Sequence, residues 1–538
     1  MAALADPVLV HPPPARPEHT QTKNRRLPQS LLHVLLIIFS GGALRLLYQT
    51  AFKPFWGADS NGYAQMFYWW TLPTFSVSER PPLYALFLGL MQKLAGDLPA
   101  ERMGVASQYL AAHVQSVLGI VAALGVYASL RSLNLRPRIS LAGALAFSLI
   151  GAICLFELYI LTELLSLLLI VFASCFFLRA LRALSSRRPL KWPALFSGLA
   201  FGLAVLTRPE NLVFFLAVVT LVMLLCLRTR FRVSLRWATR PLARLAGLLV
   251  VSAAPLVLLW MTWTLLNIGE FRLNTITGIT RTESVYNLFD RVEPADHVVG
   301  ELLNASYIVM NHNGAVYRQH AWFAMPPLLR AAQSGRLPVR VQVREPSNSL
   351  VLKVRHSIDR RFGMRPIIQY VDLYDYLGDL SGRLARRYPS LYLQNVADNF
   401  LHDTFSFSYL PPDPAETHDP QAPEGGTTVR NLQLYKVTVF IDRIEAPLLS
   451  AGYIVLIGFV LSAPVALVDR SDRFLFQDAG VITLAVSTFS VVVASCVVAA
   501  YYPQHGIPFF AVLIICVCFV IEHHQRILRA LRRRSCAD

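Results

Sequence analysis

Charged residues are scarce in this sequence, and that scarcity excludes an ordinary soluble protein. Only 15% of the 538 residues are charged, whereas 54% are hydrophobic and the mean hydropathy is +0.45. The apolar residues occur in runs of about 15 to 25, the length with which a helix crosses the hydrocarbon of a bilayer. The sequence therefore predicts an α-helical polytopic membrane protein that has the lipid bilayer as its surroundings.

Cysteine patterns that define redox or metal sites are also lacking. None of the seven cysteines forms a Cys-X-X-Cys pair, so the sequence does not predict a thiolate metal site. Six of them lie in apolar runs and Cys536 lies in the basic tail. Because none falls in a predicted external loop, no disulfide framework is expected.

Acidic residues are fewer than basic ones, and the formal net charge is +17. In a soluble protein such a charge would raise nucleic acid as a partner. Here the lysines and arginines cluster just outside the apolar runs, on alternate ends, which is the positive-inside pattern of membrane proteins. We therefore expect no nucleic-acid partner.

The order of apolar runs and basic clusters predicts about ten transmembrane helices, with both chain ends in the cytoplasm. Residues 1–28 are rich in proline, resemble no cleavable signal peptide, and read as a disordered cytoplasmic tail. The remaining chain divides into an N-terminal transmembrane catalytic module of about seven spans at 29–266, one mixed extracytoplasmic domain at 267–446, about three C-terminal transmembrane helices at 447–522, and a basic cytoplasmic tail at 523–538.

The large external segments also have predicted structure. The first external loop, 51–103, contains two short apolar pieces at 60–70 and 82–95, which are predicted to be interfacial helices. In the extracytoplasmic domain a strand-like piece is predicted near 271–280, and 411–430 reads as a mobile loop rich in proline and glycine. Amphipathic helices are predicted near 298–311, 316–332 and 366–388.

The stretch from Trp56 to Tyr84 carries an unusual amount of polar chemistry next to a bilayer. Asp59 precedes a predicted helix, so it is either a helix N-cap or a carboxylate over an external cavity. Arg80 either pairs with Glu79 and reaches the headgroups, or binds a lipid phosphate. The two prolines that follow Arg80 favour the second reading, because they fix the backbone from which its side chain extends.

Further ionisable residues lie at the predicted outer ends of short spans. Glu163 either starts a helix, where its charge favours the helix dipole, or belongs to the cavity. Arg208 lies at the end of a span too short to leave the membrane, which favours a buried polar cavity. Tyr502 and His505 lie in the last external turn, where a histidine is most often simply solvated.

At this point the chain is seen to resemble a known family. An acidic residue early in the first external loop, followed by the Glu-Arg-Pro-Pro-Leu-Tyr sequence at 79–84, resembles the GT-C superfamily, the integral-membrane glycosyltransferases that use lipid-phosphate sugars. The segments 162–165 and 198–209 and the layout of the spans are similar as well. The branch is aminoarabinose transferase-like and protein O-mannosyltransferase-like, or family 39-like, and the resemblance covers about 30–266.

Two positions depart from that family's pattern. Many relatives have Asp-Glu where this chain has Asp59 followed by Ser60. Many also carry an Arg-Tyr pair before the last helix, where this chain has Tyr502 to His505. Both departures concern groups that contact substrate.

The resemblance implies an inverting transfer of a sugar from a polyprenyl-phosphate donor to an unknown extracytoplasmic acceptor. It makes Asp59 the general base, with Glu79 and Glu163 orienting the sugar. The residues that it implies for substrate binding are Tyr63, Arg80, Tyr84, Arg208, Tyr502 and His505. No cofactor is required, although the sequence leaves open a divalent cation held by Asp59 and Glu163. The expected location is the plasma (bacterial inner) membrane, with the site on its outer face.

Other classes of function remain open at this stage. A lipid-linked sugar flippase or transporter would need a polar path across the whole membrane, whereas the ionisable residues collect at one side. A scaffold that presents the 267–446 domain would tolerate changes in the first external loop. An oligosaccharide ligase with a lipid diphosphate donor is the nearest rival among enzymes.

Overall fold

In a computed structural model of the protein, the structure describes residues 29–56, 58–71, 80–98, 103–230, 237–268, 271–274, 277–311, 321–337, 339, 369–405, 428–468, 476–498 and 507–535. Within these ranges the regular elements are helices, joined in two places by isolated β-bridges. Eight of the described helices are long and apolar enough to cross a membrane. The protein is therefore an α-helical polytopic membrane protein, which confirms the predicted fold class.

The N-terminal module contains ten described helices. Their bounds are α1 Gln29–Ala51, α2 Ala58–Thr71, α3 Leu83–Leu94, α4 Val105–Ser132, α5 Pro137–Ser148, α6 Gly151–Phe156, α7 Glu163–Ser185, α8 Lys191–Val205, α9 Asn211–Arg230 and α10 Thr239–Ile268. The spanning window of α7 is 72% buried, the largest fraction among the eight candidate spans, so α7 is the central helix of the bundle. Helices α2 and α3 are the two short helices predicted for the first external loop.

Two of the ten predicted spans are shorter or broken. The fifth is α8, an apolar helix of 15 residues. The third is divided into α5 and α6, because the chain leaves helical geometry at Ile150. Glu445 on a later helix accepts hydrogen bonds from the backbone N–H groups of Gly151 and Ala152, which satisfies donors that the break would otherwise leave without a partner.

Helix α8 packs unusually close to α10. Gly198 and Gly202 lie one turn apart on α8 and face the backbone of α10. A Cβ atom at Gly198 would lie 2.4 Å from the carbonyl oxygen of Leu249, and one at Gly202 would lie 3.0 Å from the Cα of Ala253. Small residues at this spacing allow two membrane helices to approach each other.

Replacing Gly198 with valine is expected to separate α8 from α10 and to lower the thermal unfolding temperature of the detergent-solubilised protein. The physical reason is that the added side chain meets the backbone of Leu249 on α10 as well as the hydroxyl of Ser252. Gly247, around which no atom lies within 4 Å of an added Cβ, provides the control. Equal unfolding temperatures for Gly198→Val and Gly247→Val would contradict the packing argument.

The described part of the predicted extracytoplasmic domain is helical. Its helices are α11 Thr277–Glu283, α12 His297–Asn311, α13 Ala321–Gln333, α14 Gln369–Arg387 and α15 Pro389–Phe405. Three of the five confirm the amphipathic helices predicted near 298–311, 316–332 and 366–388. The strand-like piece near 271–280 is a wrong prediction, because α11 begins there and packs on α14. The β-branched residues of this segment favour a strand, but packing against α14 stabilises a helix instead.

Three further helices return the chain to the bundle. They are α16 Leu432–Val468, α17 Phe476–Val498 and α18 Phe510–Ser535. They correspond to the three predicted C-terminal spans. The tail predicted for 1–28 and the part of the predicted mobile loop from 411 to 427 lie outside the described residues.

Candidate functional site

A buried group of ion pairs lies where α7 begins and where α8 turns into α9. Arg208 in the α8–α9 turn donates a hydrogen bond from Nη1 to Oε1 of Glu163, the first residue of α7, at 2.8 Å. Its Nε donates to Oε1 of Glu210 at 2.5 Å. The side chains of Arg208 and Glu163 are only 8% and 4% exposed. A charged pair this far from water is expensive unless each charge has a close partner, which these have.

The protonation state of Arg208 follows from these partners. Burial by itself lowers the pKa of the guanidinium, but the charges of Glu210 and Glu163 more than offset that effect, so the pKa of Arg208 is raised. Arg208 therefore stays charged. Two carboxylates surround one guanidinium, so the group has a formal charge of −1 when both are ionised.

The start of α3 is tied to this turn through the backbone. The N–H of Leu83 donates to the carbonyl oxygen of Leu206 at 3.0 Å. Helix α3 begins directly after the buried pair Pro81 and Pro82, as the sequence predicted. The bond brings the Arg-Pro-Pro-Leu-Tyr segment of the first external loop against the turn that carries Arg208.

Arg80 and two tyrosines form the side of the site that α2 and α3 contribute. The guanidinium carbon of Arg80 lies 5.0 Å from the centroid of the Tyr63 ring, a cation–π distance. The Tyr63 ring in turn meets the Tyr84 ring edge to face, with centroids 5.2 Å apart. Tyr63 also lies close enough to Arg208 to act on its charge. Arg80 is half-buried.

Gln115 of α4 connects Tyr84 to the chain that precedes α7. Tyr84 donates to Oε1 of Gln115 at 2.9 Å, and Nε2 of Gln115 donates to the carbonyl oxygens of Glu157 and Tyr159 at 2.7 and 2.8 Å. Burial raises the pKa of Tyr84, so its hydroxyl remains a donor. The network therefore fixes Tyr84 relative to the segment that leads to Glu163.

Helix α2 is anchored to the same segment at its first turn. Ser60 is fully buried and donates from Oγ to the carbonyl oxygen of Ile160 at 2.8 Å. Just before α2, Phe55 exchanges backbone hydrogen bonds with Leu158 and Ile160, and its ring stacks on Tyr159 with centroids 4.3 Å apart. The backbone that carries Asp59 is therefore held beside the segment that precedes α7.

A second buried ion pair, between Arg45 and Glu157, holds the segment that precedes α7. Arg45 of α1 donates to Oε1 of Glu157 at 2.6 Å, and both side chains are at most 3% exposed. Arg45 also donates to the carbonyl oxygens of Ser116 and Ser148 at 3.1 Å. A Cβ atom at Gly119 of α4 would lie 1.9 Å from Oε1 of Glu157, so only glycine leaves room for the pair.

The structure brings together five of the residues that the sequence nominated for the site. They are Tyr63, Arg80, Tyr84, Glu163 and Arg208. For Asp59 the structure describes the backbone, in the first turn of α2, and not the side chain. Glu79, Tyr502 and His505 lie outside the described residues, so their roles stay predictions.

Sequence reasoning missed the residues that position the site. Ser60 was noted only as a departure from the family pattern, because a polar residue in the first turn of a helix is ordinary, and Gln115 inside α4 was not nominated. Arg45 did give a signal, since an arginine inside a spanning helix is costly and needs a partner. Its partner Glu157 lies buried against it.

The sequence left open a divalent cation held by Asp59 and Glu163. Among them, no group of three or more histidine, cysteine, aspartate or glutamate side chains is arranged to hold a metal ion. Oε1 of Glu163 is occupied by Arg208. Whether a divalent cation joins the site through Asp59 and Glu163 stays an open prediction.

Fold and site together define a polytopic membrane protein with an ion-paired, aromatic-lined polar site at one end of its helical bundle. The sequence matches no family model and no curated protein. The chain is nevertheless similar to several solved structures. The archaeal oligosaccharyltransferase AglB from Archaeoglobus fulgidus, in complex with an inhibitory peptide and a dolichol-phosphate, has a TM-score of 0.46 and 14% identity. The match covers 94% of this chain and 51% of that one, so this chain spans about half the length of the archaeal enzyme.

Two further similar structures come from a yeast and a bacterium. The S. cerevisiae protein O-mannosyltransferase Pmt1-Pmt2 complex bound to the sugar donor has a TM-score of 0.32 and 18% identity, over 46% of this chain and 35% of that one. ArnT from Cupriavidus metallidurans bound to undecaprenyl phosphate has a TM-score of 0.32 and 15% identity, over 87% of this chain and 76% of that one.

Proposed function

We propose that the protein is an inverting membrane glycosyltransferase, which moves a sugar from a polyprenyl-phosphate donor to a hydroxyl group of an extracytoplasmic acceptor. The observation that carries the proposal is the position of Arg80 on the Tyr63 ring, in a segment that the Leu83–Leu206 backbone hydrogen bond holds against the turn of the buried Glu163–Arg208 pair. A guanidinium held in this way suits a lipid phosphate, because its fork matches phosphate oxygens. The donor class is the one that the motif resemblance implies.

The proposed reaction has one displacement step. The acceptor oxygen attacks the anomeric carbon while the bond from that carbon to the phosphate oxygen breaks, so the anomeric centre inverts. The lipid phosphate leaves with the bonding electron pair, and Arg80 stabilises the negative charge that it gains. Asp59 takes the proton of the acceptor hydroxyl as general base. Glu79, Tyr63, Tyr84, Tyr502 and His505 are proposed to contact the sugar or the acceptor.

The buried ion pairs give Arg208 a different role from the one that the sequence indicated. The family resemblance implied that Arg208 binds substrate. Because two carboxylates already surround it, we assign Arg208 and Glu163 to holding the α8–α9 turn and the start of α7 in register. That turn carries the backbone bond from Leu206 to Leu83, so its position decides where Arg80 and Tyr84 lie.

The side of the membrane on which the site lies can be tested by cysteine labelling in whole cells. Leu98, which is 85% exposed, follows α3 on the side of the site, and the exposed Ser186 follows α7 at the opposite end. We expect a membrane-impermeant maleimide to label Leu98→Cys in intact cells and Ser186→Cys only after the cells are opened. The reverse pattern would move the site to the cytoplasmic face.

The function itself is tested by sugar transfer from synthetic polyprenyl-phosphate donors with the purified protein. Asp59→Asn is expected to lower kcat at least about 100-fold, because general base catalysis typically contributes that much. Asp97→Asn is the control, since it makes the same change between α3 and α4, where Asp97 accepts a hydrogen bond from Ser107. We expect it to retain activity within about twofold of the parent, as is usual for a surface change.

Two results would contradict the proposal. Equal transfer by Asp59→Asn and Asp97→Asn would remove Asp59 as the base, and the search would pass to Glu79 and Glu163. Failure of the parent to transfer sugar from any polyprenyl-phosphate donor to any supplied hydroxyl acceptor would count against the enzyme class itself.

Arg80→Gln completes the set of variants, and its expected effect is a rise in the KM for the donor.

A further inference from the structure

A basic cavity of about 350 Å³ lies at the end of the bundle opposite the candidate site. The 23 residues of α7 separate Glu163 from this end, and at 1.5 Å per residue they span about 34 Å. The cavity lies between the turn after α7 and the start of α10. Four of its lining residues are arginines, Arg187, Arg188, Arg240 and Arg244, and Trp237 lies beside them.

Among the described residues that line this cavity, none is acidic. In the sequence, Glu210 is the only acidic residue between Glu163 and Glu270, and it belongs to the site at the other end of the bundle. The helices that form the cavity therefore supply no carboxylate to offset the four guanidinium groups. A concave surface of one charge attracts ions of the opposite charge.

The start of α10 concentrates the positive charge further. Arg240 and Arg244 are four residues apart and so lie on one face of the helix, where like charges repel each other. Both are near the N-terminus of α10, the end at which the helix dipole is also positive. An anion bound between the two guanidinium groups would reduce their repulsion of each other and their repulsion by the helix dipole.

The turn after α7 holds Arg187 in a backbone conformation that residues with a side chain rarely adopt. Arg187 has φ of 52°, in the left-handed region that favours glycine, and the turn closes with a hydrogen bond from the N–H of Arg188 to the carbonyl oxygen of Ala183 at 2.7 Å. The Arg187 guanidinium carbon lies 5.1 Å from the Trp237 ring centroid. The strained turn and the ring contact together place a guanidinium at the cavity rim.

The remaining walls indicate what kind of anion fits. Leu184 and Leu190 are buried and provide apolar surface, and Trp237 is 40% exposed. Tryptophans that are half in apolar surroundings and half in water are typical of the membrane interface. We propose that this cavity binds the phosphate group of an anionic phospholipid, with the arginines on the phosphate and the apolar walls along the lipid chain.

The test compares two charge-matched double variants in nanodiscs that contain phosphatidylcholine and phosphatidylglycerol. Arg187→Gln/Arg244→Gln removes two arginines from the cavity, whereas Arg138→Gln/Arg182→Gln removes two from the same end of the bundle outside it. Native mass spectrometry counts the lipids that stay bound. We expect the parent and the control to retain phosphatidylglycerol in preference to phosphatidylcholine, and the cavity variant to lose that preference roughly tenfold.

Several outcomes would overturn the proposal. Equal loss in both double variants would show general attraction of the basic surface, and no loss in either would show that the cavity is not used. Inorganic phosphate, added to lipid-free protein in detergent, distinguishes a soluble ligand. If phosphate alone raises the thermal unfolding temperature of the parent and not of the cavity variant, and no phosphatidylglycerol is retained, the lipid source is wrong. The unfolding temperatures also show whether each double variant is folded.

Discussion

Replacing Arg208 with glutamine is expected to lower kcat for sugar transfer about 100-fold, the loss that follows when a group far from the reacting atoms misplaces them by about 1 Å. The change leaves Glu163 buried without its guanidinium and loosens the turn whose backbone accepts from Leu83. Arg80 and Tyr84 then lose their fixed position. Since Arg208 is not proposed to bind the donor, the KM for the donor should change less than kcat.

A second variant separates this effect from a failure to fold. Removing one partner of a buried pair is strongly destabilising, whereas removing both relieves the unpaired charge. Arg208→Gln/Glu163→Gln is therefore expected to unfold at a higher temperature than Arg208→Gln and still to be inactive. Glu210→Gln is the milder control, because Glu210 is 23% exposed and reaches water. A folded Arg208→Gln protein with kcat within threefold of the parent's would contradict the positioning role.

Replacing Arg45 with methionine is expected to destabilise the protein by about 3–5 kcal/mol, the usual cost of leaving one member of a buried ion pair without its partner. Glu157 lies fully buried against Arg45, and the loss also removes hydrogen bonds to the carbonyl oxygens of Ser116 and Ser148. Chemical unfolding in detergent, followed by tryptophan fluorescence, measures the free energy of unfolding.

An exposed ion pair provides the matched control for this result. Arg387 and Glu293 in the external domain have their atoms 3.0 Å apart, but both side chains are more than half exposed. Arg387→Met is expected to change the free energy of unfolding by less than about 1 kcal/mol. Arg45→Met/Glu157→Leu should recover much of the loss, because an apolar pair is often as stable as a buried ionic one. Equal destabilisation by Arg45→Met and Arg387→Met would disprove the structural role.

The predictions for Arg208 and Arg45 concern one connected network of contacts. Arg45 fixes Glu157, Gln115 joins the carbonyl oxygens at 157 and 159 to Tyr84, and the chain then enters α7 at Glu163. We expect a defect at Arg45 that is mild enough to leave the protein folded to reduce sugar transfer as well. The candidate site is therefore supported by α1 and α4, not only by the first external loop.

The sequence by itself determined that this chain crosses a membrane many times. Span length is set by the thickness of the bilayer, and hydropathy is a property of each segment alone. The same holds for α2 and α3 and for the helices α12 to α14, whose apolar spacing is local. Arg80, Glu163 and Arg208 could be nominated because charge near a bilayer is costly wherever it occurs.

Only the tertiary structure decided how those segments meet. Arg45 and Glu157 are 112 residues apart, and Arg208 and Glu163 are 45 apart, so no local pattern pairs them. The N–H groups at the break between α5 and α6 bind Glu445 on a distant helix, and Gly198 and Gly202 let α8 approach α10. A buried charge is stable only beside its partner, and the partner is fixed by packing between helices, which a single segment does not encode.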